Sequence, residues 1–130
     1  MKELEKKIYK HLKDRNWHHL RPADVSKSIM IEGAELLELF QWENLELEEV
    51  KKNKAKIKEI EGELADVLIY AISLSVLLGI DTEKIVRAKI AHIAKKYPAK
   101  LMRQNADREP GTESAYWKIK KEYRSKKSAQ

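Results

Sequence analysis

Apolar residues recur at every third or fourth position along this chain, and the alternation that marks a half-buried strand is nearly absent. Leu4, Ile8 and Leu12 fall four apart with charges between them, which predicts an amphipathic helix over 4–12. Residues 15–21 have no period and end at Pro22, so a loop should lead into a helix with proline in its first turn. That second helix carries Val25, Ile29, Leu36 and Leu39/Phe40 inward and runs to about Trp42. Residues 43–56 read as a charged connector, helical in part. A third helix is predicted over 57–78, with Ile57, Ile60, Leu64, Val67/Leu68, Ala71, Leu74 and Leu78 inward. Gly79 is a natural stop, and Asp81 an N-cap for a fourth helix reaching Tyr97-Pro98. Beyond Lys100 the period weakens. A turn at Glu109-Pro110-Gly111 should precede a short helix over 114–124, and residues 126–130 should be disordered. The prediction is an all-α bundle of four main helices over residues 1–104, with a basic extension over 105–130.

The 130 residues include no cysteine, which excludes a disulfide scaffold, a thiolate metal site and a Cys nucleophile. The longest apolar run, 67–80, is broken by Tyr70, Ser73, Ser75 and Gly79, and residues 1–13 lack the apolar stretch of a signal peptide. A soluble, cytoplasmic protein with no membrane role is expected. Net charge is +6, but unevenly spread: residues 32–66 hold eleven acids and five lysines, leaving a strongly basic remainder. Such a distribution suits an anionic ligand.

Two acid pairs stand out on this background. Glu32 and Glu35 are three apart on the second predicted helix, and Glu63 and Asp66 three apart on the third. That spacing puts each pair on one helix face, and both pairs border the apolar stripe. If the stripes meet, four carboxylates converge and repel. Protons, cationic side chains such as Lys56, Lys58 or Lys89, or a metal must then neutralise them. Oxygen-only ligands favour Mg²⁺, with Mn²⁺ also fitting, over zinc. A di-iron bundle would need Glu-x-x-His, and none of His11, His18, His19 or His92 has a glutamate three residues earlier. Trp42 and Tyr70 each lie seven residues after an acid, placed to stack a base or to pack in a core or dimer interface. Trp17, in a polar loop, suggests a lid or rim.

The stretches Glu32-Gly-Ala-Glu35-Leu-Leu-Glu-Leu-Phe-Gln-Trp42 and Glu63-Leu-Ala-Asp66-Val-Leu-Ile-Tyr70, with Gly79-Ile-Asp81, Lys89 and Lys96-Tyr97-Pro98, resemble the MazG-like all-α nucleoside triphosphate pyrophosphatases, nearest the dCTP-hydrolysing branch. The resemblance covers about residues 15–103. It implies Mg²⁺-dependent cleavage of a (deoxy)nucleoside triphosphate, a pyrimidine one such as dCTP, to the monophosphate and pyrophosphate. By position it implies Glu32, Glu35, Glu63 and Asp66 as metal ligands; on chemical grounds a carboxylate not saturated by metal, with Glu35 the candidate, would accept the water's proton. Trp17, Trp42 and Tyr70 would hold the base side of the substrate, and Lys89 and Lys96 its phosphates. A homodimer or homotetramer is implied as well. The chain departs from the pattern at Asn16, in the shortened 17–22 stretch, and at Ala91 and Ile93. The competing reading is a helical nucleic-acid-binding or interaction module that uses the basic arm with Tyr116, Trp117 and Tyr123.

Overall fold

The structure, a computed structural model, describes residues 1–128 and is all-α, with no strand among them. Packing divides it into two compact units, Met1–Glu83 and Lys84–Gln130. No single helix among the described residues is long and apolar enough to cross a membrane.

The first unit is built on three long helices. Helix α1 (Lys2–Asp14) has Glu3 and Glu5 in its first turn and His11 and Lys13 in its last, each sign matching the helix dipole. It ends in a tight cap. Asn16 takes the left-handed conformation (φ 58°), so that the Asn16 N–H donates to Lys13 O at 3.0 Å and the Trp17 N–H to Leu12 O at 2.8 Å. Asparagine tolerates this backbone better than most residues. The cap turns Trp17 back over the end of α1.

Helix α2 (Pro22–Glu38) starts at the proline, after an extended Arg21. It ends four residues short of Trp42. From Leu39 to Gln41 the backbone tightens to i→i+3 bonds, including Phe40 N–H to Leu37 O at 2.9 Å, and Trp42 lies in the turn that follows. Helix α3 (Leu47–Lys52) is opened by a capping box in which the Glu46 N–H donates to Glu49 Oε2 at 3.0 Å. Helix α4 (Lys54–Leu77) begins three residues earlier than predicted because the Asn53 side chain accepts the Lys56 N–H at 3.0 Å. Gly79 (φ 68°) closes α4, with the Ile80 N–H on Ser75 O and the Gly79 N–H on Val76 O. Helix α5 (Thr82–Lys96) follows, and the Thr82 N–H donates to Glu5 Oε1 at 3.0 Å.

Helix α4 packs against both α1 and α2. Ile8, Leu12 and Ile72 form the core cluster with Val76 and Leu77 against it, and Val25 is the most deeply buried side chain. Because α4 is apolar on most of its circumference and has only two long partners in this unit, part of its predicted inward stripe remains half-exposed, at Leu64, Leu68 and Leu78. Met30, Ile31, Leu37 and Trp42 are more exposed still.

In the second unit, α6 (Ala99–Gln104) leads through a 3₁₀ turn at Asn105–Asp107 to α7 (Ala115–Ser128). The Ala115 N–H donates to Asn105 Oδ1, and Ser114 Oγ accepts the Trp117 N–H. Tyr97 stacks on Tyr116 with ring centroids 4.8 Å apart. The expected disorder at 126–130 is therefore corrected over 126–128, which continue α7; residues 129–130 lie outside the described residues.

Candidate metal centre and its adjoining cavity

Packing of α2 on α4 brings the two acid pairs to one place. One carboxylate oxygen each from Glu32, Glu63 and Asp66 lies within 4.8 Å of the others. Glu32 and Glu63 are half-buried and Asp66 exposed; Glu63 Oε2 is buried with no hydrogen-bond partner. Burial, then the neighbouring charges of Glu35 and Asp66, raises the Glu32 carboxyl above the ordinary glutamate range. Burial and then Glu35, Asp66 and Glu38 raise Glu63 in the same way. Glu35 lies outside the trio of converging oxygens, but its charge is the nearest-acting carboxylate influence on both Glu32 and Glu63. Glu38, one turn further along α2, adds a fifth charge that sequence reasoning left out, although it continues the three-residue spacing of Glu32 and Glu35.

Among the described residues of the first unit, no cationic side chain pairs with this cluster. Lys56, nearly buried, is paired with Glu43 at 2.5 Å and stands over the Phe40 ring. Among the described residues no ion pair reaches Glu32, Glu35, Glu63 or Asp66. A buried carboxylate oxygen without a donor, beside other carboxylates without cations, is what a hard divalent ion would satisfy. The oxygen-only donor set fits Mg²⁺ or Mn²⁺.

A cavity of about 410 Å³ adjoins the centre through Asp66. Along α4 it is walled by Asp66, Ile69, Tyr70 and Ser73, and along α2 by Asp24, Val25 and Ser28. His11 and Leu12 of α1, with Trp17 and Leu20, close it. Trp17 and Tyr70 therefore face one space with the carboxylates at its edge. His11 stands edge-on to Trp17, with centroids 6.0 Å apart. Asp24 and Ser28 lie eight and four residues before Glu32, a helical spacing that could have revealed them; nothing in the sequence ties His11 to the site.

The structure does not bring every expected residue here. Trp42 is 87% exposed and borders a separate shallow cleft with Phe40, Gln41 and Glu43. Trp42 does not share the helical face of Glu35, because α2 ends at Glu38. Lys89 and Lys96 belong to the second unit, where the Lys96 ammonium stands 4.3 Å from the Tyr123 ring centroid and 5.2 Å from that of Tyr97.

Comparison with known proteins gives a consistent picture. The profile of the MazG-like family matches residues 27–108. The dCTP pyrophosphatase 1 of Rattus norvegicus is 31% identical over 99 residues, and that of Homo sapiens 30% identical over 95. Each match covers 72% of this chain and 56% of the relative, so the chain spans just over half the length of the curated relatives it matches. A crystal structure of a pyrophosphatase from Archaeoglobus fulgidus superposes with a TM-score of 0.65 at 37% identity, over 75% of this chain and 92% of that one.

Proposed function

This chain belongs to the MazG-like family, and from that premise we propose that it is a metal-dependent nucleoside triphosphate pyrophosphohydrolase. The substrate would be a pyrimidine (deoxy)nucleoside triphosphate such as dCTP, and the products its monophosphate and pyrophosphate. The observation that carries this reading is the meeting of Glu32, Glu63 and Asp66 oxygens, with Glu63 Oε2 buried and unpartnered and, among the described residues, no ion pair to any of the three.

Glu32, Glu63 and Asp66, with Glu35 beside them, would hold Mg²⁺ or Mn²⁺. A divalent ion there supplies charge neutralisation for a polyphosphate and acidifies water. Glu35, outside the converging trio but close enough for its charge to act on Glu32 and Glu63, is the carboxylate we assign as proton acceptor for the attacking water. Trp17 and Tyr70 would hold the nucleoside in the cavity, excluding water from its faces. Lys89 and Lys96 would receive the phosphates, as the family resemblance implies. The exposed apolar faces of α2 and α4 support a homodimer or homotetramer, in which Trp42 would serve a neighbouring subunit.

The test is release of pyrophosphate from a panel of triphosphates by the full chain with Mg²⁺ present and then chelated. Turnover that disappears with the chelator and in Asp66→Asn supports the proposal. Folded protein that turns over none of the panel overturns it.

A further inference from the structure

The cavity has a direction, and its far end carries a group that can read a base. Earlier residues of α2 line it opposite later residues of α4, so the two helices run antiparallel along it. Glu32 and Asp66 mark one end. One turn away stand Ser28 and Tyr70; two turns away stand Asp24 and Ser73, and His11 and Trp17 line the same cavity. At 1.5 Å per residue, the eight residues from Asp24 to Glu32 span about 12 Å. A nucleotide whose phosphates sit at the carboxylates lays its sugar along the middle turn and its base at the end that holds Asp24.

Resting on the pyrophosphohydrolase reading above, we propose that Asp24 is a specificity-determining residue that selects a base presenting an amino group, cytosine above all, over the keto bases uracil and thymine. An ionised carboxylate only accepts hydrogen bonds. It therefore takes the N4 amino group of cytosine as donor and faces O4 of uracil or thymine with two acceptors opposed. A site built to hydrogen-bond one group rejects the analogue that lacks it far more strongly than a merely apolar pocket does. The remaining wall suits a flat ring: Leu12, Val25 and Ile69 are apolar, and the Trp17 indole is half-exposed at the rim. Lys27 lies 3.3 Å from Asp24 Oδ1 in a solvent-exposed i,i+3 pair, which leaves the second oxygen for a ligand.

The experiment compares kcat/KM for dCTP and dUTP in the wild type, Asp24→Asn and Asp24→Ala, alongside equilibrium binding of dCMP and dUMP, which needs no turnover. The wild type should favour dCTP by about tenfold or more. Both variants should lower that ratio at least fivefold, Asp24→Asn partly by gaining activity on dUTP, with the same change in the monophosphate affinities. A ratio that stays within twofold of wild type in both variants overturns the proposal. If no triphosphate is hydrolysed, the pyrophosphohydrolase reading fails by itself. A wild-type preference for dCMP that Asp24→Asn abolishes would then still support Asp24, and equal wild-type affinities for dCMP and dUMP would refute it.

Discussion

Leu12→Ala tests how the fold positions the site. Leu12 is 5% exposed, belongs to the small core cluster that holds α1 to α4, lines the cavity, and offers the carbonyl on which the Trp17 N–H hangs. Removing three carbons forfeits about 2.4 kcal/mol of transfer free energy at about 0.8 kcal/mol per buried methylene. The space left behind adds up to about 2 kcal/mol, since helices pinned by their neighbours collapse only in part. A loss of about 2.5–4.5 kcal/mol follows, or roughly 10 °C in Tm for a chain of this size. The carboxylates stand on α2 and α4, which pack on each other without α1. Mn²⁺ affinity should therefore hold within about twofold, while the KM for the triphosphate rises at least several-fold as Trp17 and His11 lose their seat. Denaturant unfolding, Mn²⁺ binding by electron paramagnetic resonance and steady-state kinetics read the three quantities. A destabilisation below about 1 kcal/mol, or Mn²⁺ affinity falling in step with KM, would refute the reasoning.

Three further outcomes follow from the same structure. Glu63→Gln should lower turnover about 100-fold or more, since changes even to groups behind metal ligands cost 10–100-fold, while raising the Tm of the metal-free protein at neutral pH by relieving repulsion. Glu32 and Glu63 titrate above their unfolded values because of burial and neighbouring carboxylates, so the folded state binds protons more tightly than the unfolded one. Their contribution is fully present below the unfolded value of about 4.5 and is lost as pH rises through the raised folded values. Metal-free protein should therefore lose stability over that interval and recover it at pH 7 on adding Mg²⁺, as thermal melts would register. Gly79→Val should cost about 1–2 kcal/mol in denaturant unfolding: the position needs φ 68°, which a β-branched residue resists, although the space around it is open.

Local signals in the sequence carried much of the first unit. Pro22 begins α2, Gly79 closes α4, and the three-residue spacing of the acids survives because both helices are regular through them. Two boundaries went astray for physical reasons. Leu39 and Phe40 prolong the apolar pattern of α2, yet pattern alone does not distinguish an α turn from the tighter i→i+3 turns that end the helix, and Trp42 is misplaced with them. Asn53 caps α4 before its apolar period starts at Ile57, so periodicity places the start three residues late. Ring positions in the second unit were harder to foresee, because the pairing of Lys96 with Tyr123 joins residues 27 apart and has no local signature. The same holds for His11, whose place in the cavity wall depends on how α1 lies against α4. Of the lysines that spacing offered for a salt-bridge cluster, Lys56 is engaged by Glu43, a tertiary contact with no local signature in the sequence.

The most direct measurement is calorimetric titration of metal-free protein with Mn²⁺, repeated on Glu32→Gln, Glu63→Gln and Asp66→Asn. Saturable binding by the wild type, weakened at least tenfold in each variant while their folds persist, is the predicted result. Equal Mn²⁺ affinity in the wild type and all three variants would contradict the shared carboxylate centre, and the proposed chemistry with it.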